Sequence, residues 1–129
     1  LPLSRFTTVK GVSLNEIIDA QKAESLVAKT VTRGAEIVSL LGSGSAYYAP
    51  SAAIAALVKA IVKDEKRIIG VCAYLNGEYG IQDLCVGVPC RIGKNGIEQV
   101  IELQLNHQEK EKFLKSVEAI RALTAGLTI

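Results

Sequence analysis

Few residues in this sequence are of types and spacings that could do chemistry. Gly42-Ser43-Gly44 resembles a phosphate-binding turn, in which glycine lets backbone amides approach a pyrophosphate closely. Its surroundings argue otherwise, because such a turn follows a strand, whereas this one follows a helical stretch and has Tyr47 where a third glycine belongs. It reads as a helix-to-helix turn. The single histidine, His107, opens the polar run Asn106-His107-Gln108-Glu109-Lys110-Glu111, with no nucleophile beside it to activate. A general base works from a sheltered place against its substrate, so His107 reads as a solvated residue at a helix start. Glu78 and Asp83 flank a turn and read as solvated carboxylates rather than an acid–base pair. Cys72, Cys85 and Cys90 are odd in number and contain no Cys-x-x-Cys pair, so they read as buried, reduced thiols with no metal site. Tyr47-Tyr48, just before Ala49-Pro50, fits a core or interface role and a ligand-pocket role equally well.

The elements that must position these residues are legible from periodicity. Ser13-Leu14-Asn15-Glu16 has the form of a capping box and predicts a short helix. From Asp19 to Leu41, Val27, Val31, Val38 and Leu41 recur at helical spacing with Gly34 on the same face, which predicts one amphipathic helix. A glycine inside a helix costs about 1 kcal/mol and is usually kept for packing, so Gly34 predicts a close helix neighbour, from this chain or from another subunit. Gly42 and Gly44 end that helix. Pro50 suits a first helical turn and predicts a second helix to Lys63, whose Ile54, Leu57, Val58, Ile61, Val62 and many alanines suggest a central position.

The pattern then changes. Arg67 to Tyr74 is rich in β-branched residues and runs into Asn76-Gly77, a hairpin signal. A strand over Ile81 to Val88 follows, Pro89 confines the next stretch to an edge or a bulge, and Lys94-Asn95-Gly96 turns the chain before a strand over Ile97 to Leu103. Asn106 with Glu109 marks a last helix, with Phe113, Leu114, Val117, Ile120 and Leu123 on one stripe reaching about Ala125. Helix, helix, antiparallel sheet, helix is an α+β arrangement.

At 129 residues the chain is the size of one domain, and short for a complete two-substrate enzyme with its own dinucleotide site. Its apolar fraction of 49% leans high, which predicts burial against a partner and an oligomer. The net charge of +2 is spread without a basic stripe, so nucleic acid is not expected, and no apolar run is long enough for a membrane span. The reading is a soluble, cytoplasmic protein. Methionine is absent and the chain opens on Leu1-Pro2-Leu3, the expectation for a fragment or processed product.

At Gly44-Ser45-Ala46-Tyr47-Tyr48-Ala49-Pro50 the chain resembles the lactate/malate dehydrogenase family, most closely its lactate-dehydrogenase-like malate dehydrogenases. Arg5-Phe6-Thr7-Thr8-Val9, Gly34-Ala35-Glu36-Ile37-Val38, the Ala73 to Gly80 hairpin, Gly87-Val88-Pro89 and the helix after Leu103-Gln104-Leu105-Asn106 follow in that family's order, so the resemblance covers nearly the whole chain. It implies the family's C-terminal domain, an antiparallel sheet packed with long helices.

The resemblance also implies what lies elsewhere. The family's glycine-rich NAD fingerprint, its catalytic histidine, the aspartate orienting that histidine and the arginines holding substrate carboxylates belong to positions upstream of Leu1, so the NAD-binding Rossmann domain is expected to be a separate partner of these residues. What carries over is a piece of pocket wall: Ser45 and Ala46 on the substrate side, and Pro50 near the nicotinamide ring of NAD. Lactate dehydrogenases usually place threonine where this chain has Ala46, and the smaller residue leaves room for a second carboxylate, so malate/oxaloacetate is expected over lactate/pyruvate. The implied role is part of the substrate pocket and the subunit interface of a homo-oligomer, a dimer or tetramer. The alternatives are a lactate dehydrogenase C-terminal domain and a non-catalytic assembly module.

Overall fold

The computed structural model describes residues 2–126. It divides into two compact units, Leu1–Ala49 and Pro50–Ile129.

The first unit opens with a hairpin. Strands β1 (Thr8–Val9) and β2 (Val12–Ser13) pair antiparallel across Lys10 and Gly11, both at positive φ (51° and 86°), the combination a tight two-residue hairpin turn demands. Helix α1 (Leu14–Ile17) follows. The expected capping box is not formed there: Ser13 precedes the helix but its hydroxyl caps nothing. Its backbone is committed to the β ladder opposite Thr8, and the Leu14 amide, the first of the helix, bonds back to the Thr7 carbonyl at 2.9 Å, so the hairpin satisfies one of the helix's first amides. Helix α2 (Ala20–Leu41) is the long predicted helix, capped by Asp19, whose Oδ1 accepts from the Lys22 amide at 2.7 Å. Only Ala23 on it is buried; Val27 is half-buried, and Val31, Val38 and Leu41 of the apolar stripe are exposed.

Helix α3 (Tyr48–Val62) crosses the division, and the second unit continues as β3 (Arg67–Asn76), β4 (Gln82–Gly93), β5 (Gly96–Val100) and α4 (His107–Thr124). The strands form one antiparallel sheet in the order β3-β4-β5, with Val71 opposite Val88 and Leu75 opposite Leu84. Alternation sorts their side chains. Ala73 and Leu75 of β3 and Leu84, Val86, Val88, Cys90 and Ile92 of β4 turn inward onto Ala60 of α3 and Phe113 and Val117 of α4. The same alternation corrects the expectation for the thiols: Cys90 shares the inward phase, but Cys72 and Cys85 fall in the outward one and are exposed. Burial pushes the Cys90 thiol up from its ordinary pKa.

Pro89 did not end the strand or confine it to an edge; β4 runs through it as the middle strand. The register explains why. The Pro89 carbonyl accepts from the Ile101 amide at 2.8 Å, so the missing N–H points to the β5 side, where pairing stops at Val100, and the β3 ladder loses nothing. The Ile101 carbonyl that such an N–H would have met is taken by the Tyr79 hydroxyl at 2.7 Å, which also accepts from the Leu103 amide at 2.9 Å. Hence the last strand is shorter than expected, and just beyond it the Tyr79 hydroxyl ties residues 101 and 103. A bulge does occur between Arg91 and Ile92.

Two further expectations shift. Helix α3 is not central within this chain, since Ile54, Val58 and Val62 are more than half exposed and only Ala60 is buried. On α4, Phe113 and Val117 enter the core and Ile120 packs against it, while Leu114 and Leu123 stay exposed. The capping box that starts α4 is complete: Asn106 Oδ1 accepts from the Glu109 amide, and Glu109 Oε2 accepts from the Asn106 amide, both at 2.9 Å.

Candidate functional site

The candidate site begins where α2 stops. Gly42 and Gly44 sit at φ 70° and 81°, a left-handed conformation that glycine adopts without steric cost. Two such residues close together end α2, and 45–47 are irregular backbone before α3 begins at Tyr48. Ser45 is exposed, and among the described residues its hydroxyl has no hydrogen-bond partner; Ala46 beside it is half-buried. The Tyr47 and Tyr48 rings stand 4.7 Å apart at a 40° tilt, both largely exposed. They are surface residues of this chain rather than core.

Pro50 is the third residue of α3. Its absent N–H falls among the first-turn donors that have no helical acceptor in any case, so the ring costs the helix no bond and leaves an exposed apolar surface. Ser45, Ala46 and Pro50 thus lie along one short stretch of chain containing no charged side chain. Such a stretch can supply shape and the hydroxyls of Ser45, Tyr47 and Tyr48. It holds no histidine, cysteine, lysine or carboxylate.

The other candidates from the sequence fall apart as a site. His107 is the first residue of α4, with its side chain 89% exposed and Nε2 3.6 Å from Glu111 one turn on. Glu78 and Asp83 do not pair. The Glu78 carboxylate accepts from the Asn76 amide at 2.8 Å, and this bond together with one from its own amide holds it below the usual carboxylate range. Asp83 accepts from the Tyr74 hydroxyl at 2.6 Å, and that bond to a carboxylate pushes the Tyr74 phenol up. Both carboxylates therefore fasten the β3–β4 hairpin rather than merely meeting solvent. Among the described residues no group of three or more His, Cys, Asp or Glu could hold a metal ion, and no helix is long and apolar enough to cross a membrane.

Sequence reasoning missed one built cluster, visible beforehand only as the charge run Asp64-Glu65-Lys66. The Lys66 ammonium reaches both oxygens of Glu98, at 2.6 and 2.8 Å, and Asp64 Oδ1 at 2.9 Å. Asp64 also accepts from the Lys94 amide at 2.8 Å. That amide bond first, and Lys66 second, hold Asp64 below its ordinary pKa; Glu98 first, then Asp64, raise that of Lys66. Gly93 makes room for the cluster, because a Cβ there would lie 2.8 Å from the Asp64 carboxylate and closer still to that of Glu98. The result clamps the α3–β3 connection to the β4–β5 turn.

The family described as lactate/malate dehydrogenase, alpha/beta C-terminal domain, matches residues 5–125. A malate dehydrogenase from Shouchella clausii is 50% identical over 127 residues, which is 98% of this chain and 40% of that protein. The solved malate dehydrogenase of Aeropyrum pernix superposes with a TM-score of 0.91 at 41% identity, over 99% of this chain and 42% of its own. A lactate dehydrogenase from Eimeria maxima, solved with NADH and oxamate, gives 0.84 at 40% identity and covers all of this chain, which covers 44% of it. The chain therefore spans about two-fifths of the length of the relatives it matches.

Proposed function

This chain belongs to the lactate/malate dehydrogenase family as its alpha/beta C-terminal domain, and from that premise we propose that it serves an NAD-dependent malate dehydrogenase as the substrate-side and subunit-packing part. The observation that carries the proposal is the run of malate dehydrogenase relatives at 46% and 50% identity, each aligned along 98% of the chain. In this reading the site is shared with a Rossmann domain that lies outside these residues. NAD, when bound, exchanges a hydride with carbon 2 of malate or oxaloacetate.

The roles of this chain's residues are those of a wall. Ala46 leaves space that a threonine would fill, which suits the second carboxylate of a dicarboxylic acid. Ser45 offers a free hydroxyl at the same bend, and Pro50 contributes an apolar surface toward the nicotinamide, where exclusion of water strengthens the electrostatic contacts of the reacting groups. A stretch free of charged side chains fits this use, since no lysine or carboxylate there would compete for or repel the substrate. Proton transfer belongs to the family's histidine, outside these residues.

Assembly is the second half of the proposal. Val31, Val38 and Leu41 on α2 and Ile54, Val58 and Val62 on α3 expose apolar area that a homo-oligomer, a dimer or tetramer, would cover. Gly34 has nothing within 4 Å of its missing Cβ, leaving room on α2 for a helix from another subunit to approach. The exposed free thiols Cys72 and Cys85 favour a reducing, cytoplasmic setting.

The Eimeria maxima likeness supports lactate dehydrogenase as the alternative. Substrate choice separates the two: in the whole enzyme, Ala46→Thr is expected to lower kcat/KM for oxaloacetate by about tenfold, the scale of roughly one methyl group's misfit in a pocket, with little change for pyruvate. An unchanged preference would remove Ala46 from the pocket wall, and a native preference for pyruvate would replace the malate assignment.

A further inference from the structure

Two Asn-Gly pairs close the turns of the sheet, Asn76-Gly77 after β3 and Asn95-Gly96 before β5. Such a pair can react with itself. The glycine amide nitrogen, unhindered by a side chain of its own residue, adds to the asparagine Cγ, the Cγ–Nδ2 bond breaks, and ammonia leaves with the amide proton. Water then opens the cyclic imide at either carbonyl, giving aspartate or isoaspartate. One amide and one water become one carboxylate and ammonia, with nothing oxidised or reduced.

The two turns differ in whether they permit this. Around Asn76 three groups are engaged: its Oδ1 accepts from Gln82 Nε2, its own amide donates to Glu78 at 2.8 Å, and the attacking nitrogen of Gly77 donates to the Ile81 carbonyl at 2.8 Å. Asn95 lies in the two-residue loop between the paired Gly93 and Gly96, is exposed, and among the described residues its side chain has no hydrogen-bond partner. The space beside the glycine Cα is open in both turns, with nothing within 4 Å of where a Cβ would be, and Gly96 closes the ladder opposite Gly93, so the turns differ in how the asparagine side chain is held.

We infer that Asn95 is a self-modification site, converting to aspartate and isoaspartate in the folded chain, while Asn76 is protected by its hydrogen bonds. The location gives the conversion a consequence. Lys94, next in line, donates its amide to Asp64 in the Lys66 clamp. Isoaspartate inserts an extra carbon into the main chain of a two-residue loop, which pulls that amide from Asp64, and it adds a negative charge on the residue next to Lys94. Ageing at Asn95 therefore loosens the clamp.

The test holds the chain in mildly alkaline buffer over days and scores the Asn76 and Asn95 peptides by mass spectrometry and by labelling with an isoaspartyl methyltransferase. Asn95 is expected to convert at least about tenfold faster than Asn76, which reacts only from locally opened states, and the two rates should converge in urea. Asn95→Ser should abolish the methyl-accepting product, and the aged wild-type chain should melt at a lower temperature than the fresh one. Equal rates in the folded chain, or an Asn95 that stays intact while a short peptide of the same sequence converts, would overturn the assignment. An unchanged melting temperature after full conversion would overturn the link to the clamp.

Discussion

The two units of this chain solve the problem of burial in opposite ways. From Pro50 onward, a three-stranded sheet turns one face onto α4 and closes a core in which Leu75, Cys90, Ile92 and Val117 are almost wholly shielded. Up to Ala49, a helix of 22 residues carries an amphipathic pattern and buries only Ala23. Both units obey the same periodicities, so pattern alone does not tell whether an apolar stripe is satisfied within its own chain. On α2 of the first unit, Val31, Val38 and Leu41 of that pattern stay exposed.

The sharpest way to break that comparison is to remove matching apolar bulk from each side. Leu75→Ala, at a fully buried position, is expected to cost about 2–5 kcal/mol by urea unfolding. Val31→Ala on the open side of α2 should move stability by less than about 0.5 kcal/mol in the isolated chain. A comparable loss at Val31 would mean that the first unit has a core of its own.

A smaller effect probes how the closed unit is finished. Tyr79, packed against Phe113 with ring centroids 5.2 Å apart at a 50° tilt, ties residues 101 and 103 where the ladder ends. Tyr79→Phe keeps the ring but leaves the Ile101 carbonyl and the Leu103 amide without that partner, and should cost about 1–3 kcal/mol in the same unfolding assay. A change within error would show that solvent replaces the hydroxyl and that the ladder's end needs no lock.

The smallest effect compares two helix starts that look alike in sequence. Asn106→Ala removes a formed capping box and should cost about 1 kcal/mol. Ser13→Ala removes a hydroxyl that caps nothing and should cost close to nothing in circular dichroism melts. Equal losses would contradict the difference between the two caps.

These pairs also show what was legible beforehand. Helix α2, strands β3 to β5, the turns at Asn76-Gly77 and Asn95-Gly96 and the α4 cap follow from periods and turn residues, because each is set by neighbours in sequence, whereas the β1–β2 hairpin, two residues to a strand, is too short to show a period. Pro89 misled because the rule about proline concerns the side of the strand to which its N–H would point, and that depends on where β5 stops. The Lys66 clamp was invisible because Asp64 and Glu98 meet only after β4 and β5 fold back, and no local pattern marks Gly93 as the residue that leaves them room. The family order of motifs gave the domain. The candidate wall at Ser45, Ala46 and Pro50 came from resemblance alone, since nothing in the types or spacing of these three residues signals chemistry.

The central claim is that these residues shape a site whose reacting groups lie in another domain. Its most direct test is NADH oxidation with oxaloacetate or pyruvate, measured on the chain alone and again after adding a purified N-terminal half of a malate dehydrogenase such as that of Shouchella clausii. The account predicts no turnover by the chain alone, and oxaloacetate reduction faster than pyruvate reduction once the halves are mixed. Turnover before the addition would contradict it, as would a preference for pyruvate afterwards.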